Sequence, residues 1–291
     1  MNVRYPEMPN GTGLTNRELS NQWKSTDWSV VRETVNNLQS RLARAANNCN
    51  WFKVRKLIRL LTRSHHVKLL SVKIITENKG GKTSGIDGII WTSAADKMKA
   101  VYSLTGKGYK AKPLKRVYIP KKNGKMRPLS IPTIYDRAMQ TLYALAMSPI
   151  EASTGDLTSF GFRKFRSTKD AYAYMRICLS RKNSAEYILE GDIKSCFDMI
   201  SHDWLLNNVP IKKSILSQFL KAGYLENGRL FPTDKGAPQG GPLSPILANM
   251  VLNGLRPNLE ETFMLKRMGK STKKAVTNIK STTPGLRTIL W

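Results

Sequence analysis

Apolar residues fall into helical step at Trp28 and keep it through Val31, Val35, Leu38, Leu42 and Ala45, three and four apart. That spacing predicts a long helix, with Asp27 placed to cap its first turn. A second amphipathic stretch follows, in which Trp51, Val54, Leu57, Ile58 and Leu61 define an inner face. Residues 1–26 are polar, with Gly and Pro, and read as a flexible arm. The run TENKGGKTSGIDG (76–88) is a Gly-rich connector. Short strands are predicted at LKRVYIP (114–120) and PLSIP (128–132), joined by KKNGKMR, whose Asn-Gly pair favours a tight hairpin. Helices are expected at 134–148 and 167–182, then a buried strand YILEGDI (187–193) ending on a carboxylate. Further helices are expected at 202–208 and 211–222, and a buried one in the apolar run after Gly241. There are no internal repeats. Strands and helices mix without a regular βαβ period, so the fold class is α+β.

Charge changes the picture most. The 291-residue chain carries 48 Lys plus Arg against 20 Asp plus Glu, a formal net charge of +28. An excess that large and one-sided opposes a compact state unless a polyanion neutralises it, which points to nucleic acid as partner. Its distribution is uneven. Arg55, Lys56, Arg59 and Arg63 lie at helical spacing on the second helix, where like charges repel. Phosphates would reverse that repulsion, so these four are candidate RNA-binding residues. From Lys97 to Tyr135, both included, there are eleven basic residues and no acid, which makes the hairpin a positively charged flap.

Other chemistries are excluded. Cys49, Cys178 and Cys196 show neither metal-ligand spacing nor a disulfide framework and read as packing residues in a reducing compartment. His65, His66 and His202 have no zinc-site partners at hand. GGKTSG lacks the spacing of a phosphate-binding P-loop. The N-terminus lacks the apolar segment of a secretory signal, and the longest apolar stretch, LYALAM (142–147), is too short to span a bilayer. The expected location is the bacterial cytoplasm or an organelle, not the exterior.

The candidate chemistry centres on EGDIKSCFDMI and APQGGPLSP. An aspartate at a strand end is by itself an ordinary helix cap. Asp192, however, is followed five residues on by the bulky aromatic Phe197, an arrangement with which template-directed polymerases hold Mg²⁺ beneath a nucleotide. Two such ions, roughly 3.5–4 Å apart, clamp attacking and leaving oxygens and demand hard oxygen ligands.

With these motifs in view, the chain resembles a group II intron-encoded reverse transcriptase of the maturase type, from about Leu14 to Leu255. The resemblance rests on five ordered blocks: WFKVRKLIRLLTRSHHVKLLSVKIITENKGGKTSGIDG, PLKRVYIPKKNGKMRPLSIPTIYDRAMQ, SFGFRKFRSTKDA, YILEGDIKSCFDMISHDWL and KGAPQGGPLSPILANMVLNGL. It implies a basic helical N-terminal domain (27–85), right-hand polymerase fingers with an incomplete palm (86–255), and an aberrant basic tail (256–291). It implies an RNA-templated DNA polymerase that also helps its intron RNA fold and splice. Its partners would be intron RNA, an RNA template with DNA primer, and deoxynucleotides. By the same resemblance Asp192 is the first catalytic aspartate and, with the Ile193 carbonyl, a ligand of the Mg²⁺ pair. Phe197 selects deoxynucleotides, Arg127 and Lys125 hold the triphosphate, and Gln239 and Gly240 lie against the template–nucleotide pair.

The departures are equally specific. The family's Ala-Asp-Asp block is missing, and no aspartate follows Asp234; only Glu260 and Glu261 do. The metal site is therefore expected to be incomplete and the chain inactive alone. A competing reading is a non-catalytic RNA-binding splicing factor that keeps the basic surface. The tail STTPGLRTILW resembles nothing in the family, yet its codons begun one base earlier can encode Arg-Phe-Ala-Asp-Asp-Phe, with the two aspartates arising across Arg287–Thr288 and Thr288–Ile289. A late frameshift is the expectation for this tail.

Overall fold

The structure, a computed structural model, describes residues 13–120, 124, 126–180, 191–238 and 240–264. The tail expected to be out of frame, the residues Lys125 and Gln239, and the YILE part of the expected strand lie outside the described residues.

Five helices open the chain: α1 (Asn16–Lys24), α2 (Trp28–Asn47), α3 (Trp51–Arg63), α4 (His65–Glu77) and α5 (Ala94–Ser103). The first corrects the flexible-arm reading. Thr15 accepts from the Glu18 amide while the Glu18 carboxylate accepts from the Thr15 N–H, a reciprocal cap. Leu19 of α1 is fully buried, and α1 packs on α5. Asp27 caps α2 by accepting from the Ser29 and Val30 amides, and Val31, Val35, Leu42 and Ala45 are buried as the spacing requires. On α3 the inner face holds for Val54, Leu57, Ile58 and Leu61 but not for Trp51, which is 41% exposed. Trp51 is the first residue of α3, before the helix has reached the core.

The strands β1 (Leu114–Pro120) and β2 (Met126–Ile131) form the expected antiparallel hairpin, with Tyr118 opposite Pro128 and Ile119 opposite Arg127. The long α6 (Ile134–Thr154) then runs through the middle of the molecule. Buried residues lie on every side of it from Ile134 to Tyr143, the pattern of a helix enclosed by others. α2, α3, α4 and the later helix Ser244–Leu252 pack on it. Pro149 sits inside α6 and has no N–H to give to the Leu145 carbonyl one turn back. Gln39 of α2 fills that gap, its Nε2 donating to Leu145 O at 2.7 Å. The start of α6 fixes the Gly-rich connector. Arg137 donates to the Gly80 and Thr83 carbonyls at 2.6 and 2.5 Å, so GGKTSG serves packing.

After α6 come α7 (Thr168–Leu179), α8 (His202–Asn208), α9 (Lys213–Leu220), α10 (Ser244–Leu252) and α11 (Leu255–Met264). Two short strands, β3 (Tyr224–Glu226) and β4 (Arg229–Phe231), extend the sheet to the order β2-β1-β3-β4, with β1 and β3 parallel. Their turn is Asn227-Gly228, at φ of 48° and 78°. It is the same Asn-Gly signal as in the first hairpin, on strands too short to show alternation. Gly191, Asp192 and Ile193 are in no strand. Among the described residues, no helix is long and apolar enough to cross a membrane.

Candidate polymerase site and basic face

The loop 234–244 is held between two neighbours. On one side the Gly236 N–H donates to Ile200 O and the Ala237 N–H donates to Phe197 O, both at 2.8 Å. Gly236 has φ +87°, and a Cβ there would meet Phe197 O at 2.8 Å and Asp198 Cα at 2.9 Å. Buried His202 closes this side. Its Nε2 lies 2.7 Å from Gly236 O, and since a carbonyl only accepts, Nε2 carries the proton. On the other side Gly240, at φ +117°, lies against β2, where a Cβ would meet Ser130 O at 2.7 Å. Ser244 ties the loop to α10 by donating to Pro238 O at 2.7 Å. The glycines are thus needed for close backbone approach on both faces.

This double anchoring sets Gly236, Ala237 and Pro238 beside the β1–β2 hairpin around a cavity of about 260 Å³, which neither Phe197 nor Gly240 lines. Its walls include Arg116 of β1, Ser130 of β2, Asp198 and Lys235. Arg116 stacks on Tyr224 at 3.8 Å, and Tyr224 stacks on Phe231 with ring centroids 5.2 Å apart. Sequence reasoning missed Arg116 and Tyr224. The alternation in LKRVYIP could have separated Arg116 from Lys115, but only the β1–β3 pairing brings Tyr224 alongside. Arg127 is exposed on β2. Phe197 is half-buried and meets Phe162 edge-on at 5.8 Å. Arg163, next in the chain to Phe162, forms an ion pair with Glu151 of α6 at 2.8 Å, with both side chains nearly inaccessible. Burial raises the Glu151 pKa and lowers that of Arg163, so desolvation outweighs their attraction.

Asp192 and Ile193 are exposed, in irregular backbone. Burial pushes the Cys196 thiol pKa up, and the nearby carboxylates of Asp192 and Asp198 add to the effect. Among the described residues no group of three His, Cys, Asp or Glu is arranged to hold a metal ion. A two-Mg²⁺ site needs several carboxylate oxygens, and the described residues do not fit one.

The basic stripe on α3 divides. Arg55, Arg59 and Arg63 line a second, larger cavity, whereas Lys56 lies off it, its ammonium 4.3 Å from the Phe52 ring centre.

Comparison with known proteins then supplies the class. Residues 119–277 match the family "reverse transcriptase (RNA-dependent DNA polymerase)", and residues 23–104 match its N-terminal domain. The chain belongs to the reverse transcriptase family. Within it, the chain is 41% identical to the group II intron-encoded protein LtrA of Lactococcus lactis over 61% of this chain and 31% of that protein. It is 32% identical to protein YkfC of Escherichia coli over 82% of this chain and 65% of YkfC. The chain thus spans less than two thirds of each of these relatives. A partial Cas6-RT-Cas1–Cas2 complex aligns at TM-score 0.40 and 22% identity, over 70% of this chain and 35% of that one.

Proposed function

We propose that this chain is part of an RNA-directed DNA polymerase encoded by a group II intron, one that binds its intron RNA and aids splicing. The observation that supports this most is the loop 234–241, pinned by glycines both to the Phe197 segment and to β2. The glycine backbone of the fixed loop, in this reading, meets the template–nucleotide pair, as a surface that must accept any base pair requires. In this reading Arg127 and Lys125 hold the triphosphate, Phe197 limits the sugar, and Gln239 and Gly240 face the template–nucleotide pair. Arg55, Lys56, Arg59 and Arg63 take RNA phosphates. Asp192 and the Ile193 carbonyl would contribute to an Mg²⁺ site that needs further carboxylates. A second reading, an RNA-binding splicing factor without catalysis, is favoured by the absence, among the described residues, of any group of three His, Cys, Asp or Glu arranged to hold a metal ion.

Primer extension separates the two. On an RNA template with a DNA primer and Mg²⁺ or Mn²⁺, this chain is expected to bind RNA and add no nucleotides above background. Synthesis abolished by Asp192→Ala would exclude the non-catalytic reading and show that other carboxylates reach the site. Failure to bind RNA at all refutes both readings.

A further inference from the structure

The larger cavity, about 940 Å³, lies between α3 and the connection from α8 to α9. Its rim is basic. Arg55, Arg59 and Arg63 come from α3, and Lys68 from α4. Lys107 stands in the turn after α5, and Lys212 and Lys213 at the start of α9. No aspartate or glutamate lines it, and among the described residues none pairs with these seven cations. Lys212 and Lys213 also add charge to the positive end of α9, where cations are disfavoured. Burial lowers the Lys68 pKa, as expected of a cation lacking a counter-charge. The interior is different. Ile58, Leu142, Val209, Ile211 and Ile215 form an apolar floor, with Trp51 at the edge.

A basic rim alone suits any phosphate backbone. A recess with an apolar floor does not suit a duplex, whose stacked bases are sealed and whose phosphates lie on a convex surface. Unpaired bases, by contrast, offer a flat apolar face that can leave the stack and enter such a recess. The volume is within the roughly 300–1,000 Å³ of pockets that enclose small molecules, the size class of a nucleotide. We propose that this cavity holds an unpaired nucleotide of a structured RNA, its base on the apolar floor and the flanking phosphates on the cationic rim. The inference rests on the RNA-binding reading above and adds which RNA feature is selected.

Two RNA hairpins that share one loop, the first with a fully paired stem and the second with a single adenosine bulged from its stem, test it. The wild-type chain is expected to bind both in a salt-sensitive manner and the bulged one about tenfold more tightly. Thr62 on the cavity wall donates its hydroxyl only within α3, to Ile58 O at 2.9 Å and more distantly to Arg59 O, so Thr62→Trp puts an indole into the recess in the place of a base and replaces no rim cation. It should abolish the preference while affinity for the paired hairpin and its salt dependence stay unchanged. In the wild-type complex the bulged adenosine should be protected at N1 from dimethyl sulfate, a readout independent of how well the variant folds. Equal binding of the two hairpins, or a bulged base as reactive as in free RNA, overturns the proposal while leaving RNA binding intact. Binding of neither hairpin defeats the RNA reading itself, as a protein-docking groove would.

Discussion

Replacing Gly236 by alanine tests whether the loop 234–241 is seated on the Phe197 segment as described. Two effects add. A side chain at φ +87° introduces left-handed strain of roughly 1–2 kcal/mol. The new Cβ also falls 2.8–2.9 Å from three backbone atoms, Phe197 O and the Asp198 Cα and O, which cannot swing aside like a side-chain tip. Overpacking of this kind costs about 1–3 kcal/mol, so the total is about 2–5 kcal/mol. Gly228 is the matched control, since its φ is +78° and nothing lies within 4 Å of its Cβ position. Gly228→Ala should therefore carry the strain alone, about 1–2 kcal/mol. Both substitutions reduce unfolded-chain entropy alike, so that contribution cancels in the comparison. Urea denaturation of the two variants, read as midpoint shifts at constant slope, measures the difference. Equal destabilisation within about 0.5 kcal/mol would falsify the close backbone approach at Gly236.

Three further outcomes are expected. Gln39→Leu leaves the Leu145 carbonyl without a donor and should destabilise by about 1–3 kcal/mol; adding Pro149→Ala, which restores a helical N–H, should recover part of the loss, and strictly additive effects would contradict the compensation. Glu151→Ala isolates the buried Arg163 and should cost about 3–5 kcal/mol, whereas Glu151→Leu with Arg163→Met should cost much less; denaturation of the double variant at or below the single-variant midpoint would show the pair to be net stabilising. Lys56→Ala, which removes a cation lying off the large cavity, should lower RNA affinity less than Arg59→Ala, as read by filter binding.

What was legible in the sequence followed physical periodicity. The α2 and α3 faces were readable because their apolar residues repeat over many turns, and α6 because its apolar run is long. The α1 helix was obscured by its polarity, although Thr15 and Glu18 announced its start. β3 and β4 were missed because three residues cannot display alternation, and because β3 is stabilised by pairing with β1, more than a hundred residues earlier. Within the site, Phe197 and Gly240 were named through the family resemblance; from its local sequence alone Gly240 reads as an ordinary turn. Arg116 and Tyr224 could not be named, since their stacking depends on that non-local pairing. The stripe on α3 was visible as four charges. Its division into three that face a cavity and one that stacks on Phe52 required the neighbouring elements.

In the proposed function, this chain grips structured RNA through the arginines of α3. The most direct measurement is the slope of log affinity against log salt for a structured RNA, with the wild-type chain and with Arg55, Arg59 and Arg63 all changed to alanine. Each phosphate neutralised contributes roughly 0.7–0.9 to that slope, so the triple variant should bind more weakly and its slope should be shallower by about 2–3. Equal affinity and equal slope would contradict the account.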